Sequence, residues 1–339
     1  MEKELLQACI NGNVDDVQKL LAISNINPNY QDISELKTPL HNACFNGHIE
    51  VVKLLLNDKR IDVNKEDIFH WTSLHFACEN GHIELVKLLL NDKRVDINGK
   101  DNNGRTPFFT ACFNGNIEVV KLFLKNERVK VNEGEISGQT PFRIACFNGQ
   151  TEIMKLLLND QRVQTNKVDV SGRTSFFIAC SDGKTEVVKL LLSNQRIDVN
   201  KAKNDGETPF HIACRNAHIE IVKLLLREEK ICISQANHSG RTPFFDACRA
   251  GHIEVVKYML ASKREVKLTA KNNQGKTAID IAIDIAIERE KKEKGEWESE
   301  EDFQKRKKNF ANIVKLLKSL QKDQNETRTK LRKKLGLPG

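Results

Sequence analysis

The sequence predicts an all-α solenoid of stacked helix-turn-helix units, and three observations predict it. Threonine opens a unit at Thr38 and recurs at Thr72, Thr106, Thr140, Thr174, Thr208 and Thr242, each 34 residues after the last, and at Thr277 after 35. Self-similarity at such a period belongs to repeat architectures. Within a unit the apolar residues fall at helical spacing, as at Ile49, Val52, Leu55 and Leu56, a stripe that one unit cannot bury alone and that neighbours must stack to cover. The length of 339 residues exceeds what a single core usually supports, whereas in a stack length sets only the number of units.

Thr38 to Trp71 is the template. Thr38 is suited to cap a first helix and Pro39 to its first turn, where a missing N–H costs nothing. That helix runs through Ala43-Cys44, and Gly47 ends it in the left-handed conformation. A second helix begins near His48, with Glu50 and Lys53 three apart on its outer face. Asn57-Asp58-Lys59-Arg60 breaks the pattern. Ile61-Asp62-Val63-Asn64 then alternates apolar and polar like a short extended arm leading into a β-hairpin-like finger before Thr72. Residues 1–37 keep Ala8-Cys9 and Asn11-Gly12 but open with Lys3-Glu4, and their polar outer face suits an N-terminal cap. Units start near 38, 72, 106, 140, 174, 208 and 242. Ala217, in Asn216-Ala217-His218, replaces the turn glycine, where a left-handed alanine costs about 1–2 kcal/mol.

Residues 277–322 are expected to form an extended C-terminal cap, so that the solenoid covers 1–322. Ile279, Ile281, Ile283, Ile285 and Ile287 alternate with Asp and Ala, a period of two that alone reads as a strand. Register overrules it: Ala282 aligns with Ala43, which makes this a first helix extended toward Gly295. The second helix resumes at Ile313-Val314-Lys315-Leu316-Leu317, since Lys315 lies 38 residues after Thr277 whereas Lys53 lies 15 after Thr38. A charged insertion of 23 residues, about 289–311, separates the two. Ser299 caps a long helix carrying Phe303, Phe310, Ile313, Leu317 and Leu320, spaced to pack on the preceding helix. Residues 323–339 are expected as a basic, flexible tail.

The motif residues resemble those of the ankyrin-repeat family. They are Thr38-Pro39-Leu40-His41, Thr72-Ser73-Leu74-His75, Thr106-Pro107-Phe108-Phe109, Thr140-Pro141-Phe142-Arg143, Thr174-Ser175-Phe176-Phe177, Thr208-Pro209-Phe210-His211 and Thr242-Pro243-Phe244-Phe245, and the likeness covers roughly residues 1 to 320. The period also fits the tetratricopeptide repeat, but that family's tryptophan, leucine-glycine and tyrosine pattern is absent. Cysteine replaces the family's second alanine, phenylalanine often replaces its leucine and histidine, and the loop before the arm lacks glycine-alanine and is one residue longer. Loss of the motif histidine in five of eight units is expected to trade hydrogen bonds for apolar packing.

Nine cysteines invite a disulfide or metal framework, yet eight of them (Cys9, Cys44, Cys78, Cys112, Cys146, Cys180, Cys214, Cys248) occupy one position of each unit. Stacked helices put such positions roughly 8–10 Å apart, beyond the roughly 7 Å a disulfide spans. They read as buried thiols in a reducing compartment. Cys232, standing where other arms have Asp62, Asp96 or Asp198, is expected to be more exposed. His48, His82, His218 and His252 share one turn position and read as structural. No phosphate-binding glycine loop, His-Glu-x-x-His or serine elbow is present, so no catalytic residue, metal or cofactor is expected. Met1-Glu2-Lys3-Glu4 leads straight into a helix, and no segment approaches the roughly 20 apolar residues that span a bilayer. A soluble, monomeric, intracellular chain is expected, cytoplasmic with the nucleus as alternative.

Charge is uneven. Of a net +8, residues 288–339 contribute +6, with 16 Lys and Arg against 10 Asp and Glu. The basic end, Arg328, Lys330, Arg332, Lys333 and Lys334, is a candidate contact for nucleic acid or anionic lipid, set against a solvated tail because no aromatic residues interleave with it. Candidate partner contacts are the positions that differ between units. One set follows the cysteine: Phe45, Phe113, Phe147, Arg215 and Arg249. The other is the first full finger tip, Ile68, Phe69, His70 and Trp71, with local packing as the competing reading for Trp71. The resemblance implies that both sets face a concave partner groove, aromatic toward the N-terminal half and basic toward the C-terminal half. The function it implies is a non-enzymatic protein-interaction scaffold or adaptor with no small-molecule substrate. The alternatives are a nucleic-acid or anionic-membrane binder working through the basic end, and the substrate-targeting subunit of an enzyme complex.

Overall fold

Each first helix begins where a threonine can cap it. In the computed structural model, which describes residues 1–291 and 299–337, the Thr38 hydroxyl accepts the His41 amide at 3.2 Å. The same bond recurs at Thr106, Thr140, Thr174, Thr208 and Thr242. It satisfies one of the donors that a helix start leaves unpaired. Residues 292–298, with the expected helix end near Gly295 and part of the charged insertion, lie outside the described residues.

The chain divides into two compact units, Met1–Thr165 and Asn166–Gly339. Unit one carries α1 (Glu2–Asn11), α2 (Val14–Leu21), α3 (Pro39–Asn46), α4 (Ile49–Asn57), α5 (Ser73–Glu79), α6 (Ile83–Asn91), α7 (Pro107–Asn114), α8 (Ile117–Leu124), α9 (Pro141–Asn148) and α10 (Thr151–Asn159). Its first helices pack in one row, α1 on α3, α3 on α5, α5 on α7 and α7 on α9, and its second helices in another, α2 through α10. Unit two repeats the scheme with α11 (Ser175–Ser181), α12 (Thr185–Leu192), α13 (Pro209–Arg215), α14 (Ile219–Arg227), α15 (Pro243–Ala250) and α16 (Ile253–Ala261), then adds α17 (Ala278–Lys291), α18 (Glu300–Lys322) and α19 (Gln324–Lys334). The core of each lies between its rows. Val51, Val52 and Leu55 of α4 are buried against neighbours, as are Phe108, Phe123 and Phe142 in unit one and Phe176, Phe210 and Phe244 in unit two. Each such side chain contributes on the order of 1.5–3 kcal/mol on leaving water.

Three polar tethers join successive repeats. The turn histidines reach back to a carbonyl of the preceding first helix: His48 Nε2 lies 2.9 Å from the Ile10 oxygen, His82 3.0 Å from that of Phe45, His218 2.8 Å from that of Ser181 and His252 2.8 Å from that of Arg215. Where histidine is missing, Asn116 and Gln150 donate to the equivalent carbonyls of Glu79 and Phe113. In the loops after α4 and α6, Arg60 donates to the Leu21 carbonyl at 2.7 Å and Arg94 to that of Leu56 at 2.7 Å, placing a cation at a helix C-terminus. The arm asparagines form a third link. Asn64 Nδ2 donates to the Arg94 carbonyl at 2.8 Å while its Oδ1 accepts the Asp96 amide at 2.7 Å, and Asn98, Asn132 and Asn200 repeat the pair.

These side-chain links correct the expected extended arm. Ile61 and Val63 are buried as its alternation requires, but the backbone turns, and the asparagine amides do the pairing that a strand ladder would otherwise do. The fingers close like hairpins, Asp67 N donating to Trp71 O at 3.0 Å, with one isolated antiparallel bridge, Lys271 to Thr277, among the described residues.

After α16 the chain adds helices to both rows. α17 packs on α15 as a first helix and α18 on α16 as a second; Ser299 caps α18, and Phe303, Phe310, Ile313, Leu317 and Leu320 are buried. The tail expected to be flexible is instead helical. α19 packs on α16 and α18, because Leu331 is buried and Arg332 Nη1 donates to the Ala261 carbonyl at 2.8 Å.

Candidate functional site

In α3, α7 and α9 the cysteine before the last turn faces the core, which leaves the next residue on the opposite side. Phe45 is accordingly 42% exposed, Phe113 45% and Phe147 49%. At the finger tip Ile68 is 39% and Phe69 54% exposed. That tip is held by Asp67, whose carboxylate accepts the Phe69 amide at 2.8 Å and the Trp71 amide at 2.7 Å, an Asx turn. Burial pushes the Asp67 carboxyl above its ordinary range, against the two amides. His70 takes a left-handed conformation, φ 59°, where the corresponding tips place Gly104 at 77° and Gly138 at 82°. Its ring lies 3.4 Å from the Glu66 carboxylate.

Trp71 packs locally. Its ring sits 5.2 Å from Phe76 and 5.7 Å from His75, and Nε1 donates to Asp101 Oδ2 at 3.1 Å. Phe76 also meets Phe45 edge-on at 6.0 Å, and Lys37 Nζ stands 5.4 Å from the Phe45 centroid and 5.1 Å from that of Phe76. Phe45 and Trp71 are therefore joined through Phe76 and roofed by a cation, while Ile68 and Phe69 stay on the tip. Sequence reasoning missed Phe76 and Lys37. The signal for Phe76 is a large ring at a position that is Asn42 and Thr110 in neighbouring units. Between Phe45 and Phe113 in register, Glu79 is half-buried, and burial raises its pKa against the pull of Lys37 and Arg105.

Unit two brings Arg215 and Arg249 together around buried acids. Arg215 pairs with the Glu207 carboxylate, which Lys203 also approaches at 3.2 Å. Arg241 Nε lies 3.0 Å from Asp246 Oδ1, and Arg249 Nε 3.9 Å. Burial raises the Asp246 pKa, with Arg241 and Arg249 opposing. The expected basic character is thus offset from inside the fold. Two departures signalled it: Glu207 stands where Arg105, Arg173 and Arg241 precede the capping threonine, and Asp246 where Ile144, Ile178 and Ile212 occur. Of the basic end, Lys330 pairs with Glu326 and Arg332 with a carbonyl, while Lys333 and Lys334 are exposed. The Arg328 Nε is buried with no hydrogen-bond partner among the described residues.

Eight cysteines are buried and Cys232 is exposed, all with free thiols. Among the described residues no three side chains are grouped to hold a metal ion, and no helix is long and apolar enough to cross a membrane. Family models described as ankyrin repeats match residues 5–101, 93–169 and 161–237, and a further model of ankyrin repeats matches 234–282. No curated protein matches the chain.

Proposed function

Because the chain belongs to the ankyrin-repeat family, whose repeats are generally protein-interaction modules, we propose that it is a non-enzymatic scaffold holding a partner protein on the aromatic face of unit one. The observation that carries this reading is the set of exposed phenylalanines, Phe45, Phe69, Phe113 and Phe147, at positions the core does not need. Exposed aromatic groups cost solubility, and aromatic side chains are enriched among residues that dominate binding energy. The left-handed His70 supports it further. Strain of about 1–2 kcal/mol at a position where glycine would relieve it is the kind retained at functional sites.

Phe69→Ala combined with Phe45→Ala is expected to weaken capture of a cytosolic partner by at least about tenfold, the range of interface hot spots, while leaving the urea unfolding midpoint within error. Pull-down with quantitative mass spectrometry, set beside equilibrium unfolding, checks both. Full binding by the double variant, or loss of binding only through unfolding, would move attention to Arg215 and Arg249.

A further inference from the structure

An uneven charge arrangement lies where α19 closes onto α16. A cleft of about 630 Å³ opens there between α14, α16 and the residues after α19, within the roughly 300–1,000 Å³ of small-molecule sites. Its apolar lining is Leu226, Tyr258, Leu335 and Leu337. Five of its six charged lining residues are cations, Lys223, Arg227, Lys263, Arg264 and Arg332, against Glu229 alone.

Part of this charge has structural employment. Arg264 donates to the carbonyls of Glu228, Glu229 and Ile231, and Arg332 to that of Ala261. Lys223 lies 2.7 Å from Glu220 and 4.6 Å from the Tyr258 centroid. Arg227 and Lys263 are exposed and have neither an ion pair nor a side-chain hydrogen bond among the described residues. Carbonyls neutralise no formal charge, and the acid paired with Lys223, Glu220, is outside the cleft. Like charges gathered on an apolar lining repel one another unless an anion joins them. Guanidinium and ammonium groups together suit the oxygens of a phosphate monoester.

We infer that this cleft binds a small amphiphilic phosphate, its apolar body on Leu226, Tyr258, Leu335 and Leu337 and its anionic group between Arg227 and Lys263. A soluble phosphate ester and a phospholipid headgroup share this chemistry. The site is made by α19 and the repeats it covers, and it does not depend on the aromatic face of unit one.

Isothermal titration of the full chain with octyl phosphate, below its micelle concentration, is expected to show one saturable site. Arg227→Ala with Lys263→Ala should weaken it by at least about tenfold, the loss of two charge-assisted contacts. Octyl glucoside and inorganic phosphate, each offering half of the ligand, should bind at least about tenfold more weakly, since about 1.4 kcal/mol corresponds to that ratio. Leu335→Asp should abolish binding of octyl phosphate with the repeats still folded by circular dichroism. Octyl glucoside binding as tightly as octyl phosphate, or an unchanged affinity in the double variant, would overturn the inference. Co-sedimentation with phosphatidylcholine vesicles containing phosphatidate assigns the source: binding to vesicles as well supports a headgroup, and binding to octyl phosphate alone supports a soluble ester.

Discussion

At the scale of single residues, Ala217 shows how a repeat exposes its own exceptions. It adopts φ 58°, where Gly47, Gly115 and Gly251 take 81°, 81° and 77°. Ala217→Gly is expected to raise the urea midpoint, because relief of about 1–2 kcal/mol of strain outweighs the roughly 0.4–1 kcal/mol that glycine adds to the unfolded chain's entropy. An unchanged or lower midpoint would show that the local backbone has already relaxed the strain. This exception was legible because seven neighbouring turns supply the rule. The hydrogen bond of Trp71 to Asp101, 30 residues away, was not, since a tertiary contact leaves no periodic trace. The acids under Arg215 were visible as departures, but their meaning depended on burial.

At the scale of the element, the first helices show two ways to fill one cap. His41, His75 and His211 accept the amide of their own capping threonine at Nδ1, at 3.1, 3.2 and 3.1 Å. That arrangement requires the neutral ring and leaves Nε2 to donate to the carbonyls of Lys65, Arg105 and Arg241. Burial holds all three at about 4, below the ordinary 6.5. Between those values the unfolded chain binds more protons than the folded one, so stability is fully present above pH 6.5 and falls as pH drops toward 4. The slope approaches about 1.4 kcal/mol per pH unit for each histidine. Urea titrations at pH 7 and pH 5 should show the fall. His75→Phe, which copies Phe109, Phe177 and Phe245, should flatten it, and a pH-independent midpoint in the parent chain would contradict the assignment. The caps were legible because their partners lie three residues away. The asparagine links recur at the same period and were still not legible, because the acceptor of Asn64 belongs to the next repeat.

At the scale of the whole molecule, the chemistry of the thiols follows from repetition. Burial pushes Cys9 up to about 12 and raises Cys44, Cys78, Cys112, Cys180, Cys214 and Cys248 further, which removes the reactive thiolate. Iodoacetamide is expected to label Cys232 first, with the other eight following only on unfolding, as followed by mass spectrometry; an intramolecular disulfide in a non-reducing digest would refute the stacking geometry. Helix number and register up to α18 could be read from the period. α19 could not, because no earlier unit contains an equivalent helix to serve as a template. The turn-histidine and loop-arginine tethers run backward, from a later side chain to an earlier carbonyl, whereas the arm asparagines donate forward. On a chain emerging from a ribosome, each acceptor of the backward tethers is therefore made before its donor, and water can occupy it meanwhile. A new repeat thus brings the histidine and arginine donors to carbonyls already in place, while the asparagine of the repeat before it is a donor that has waited for its acceptor.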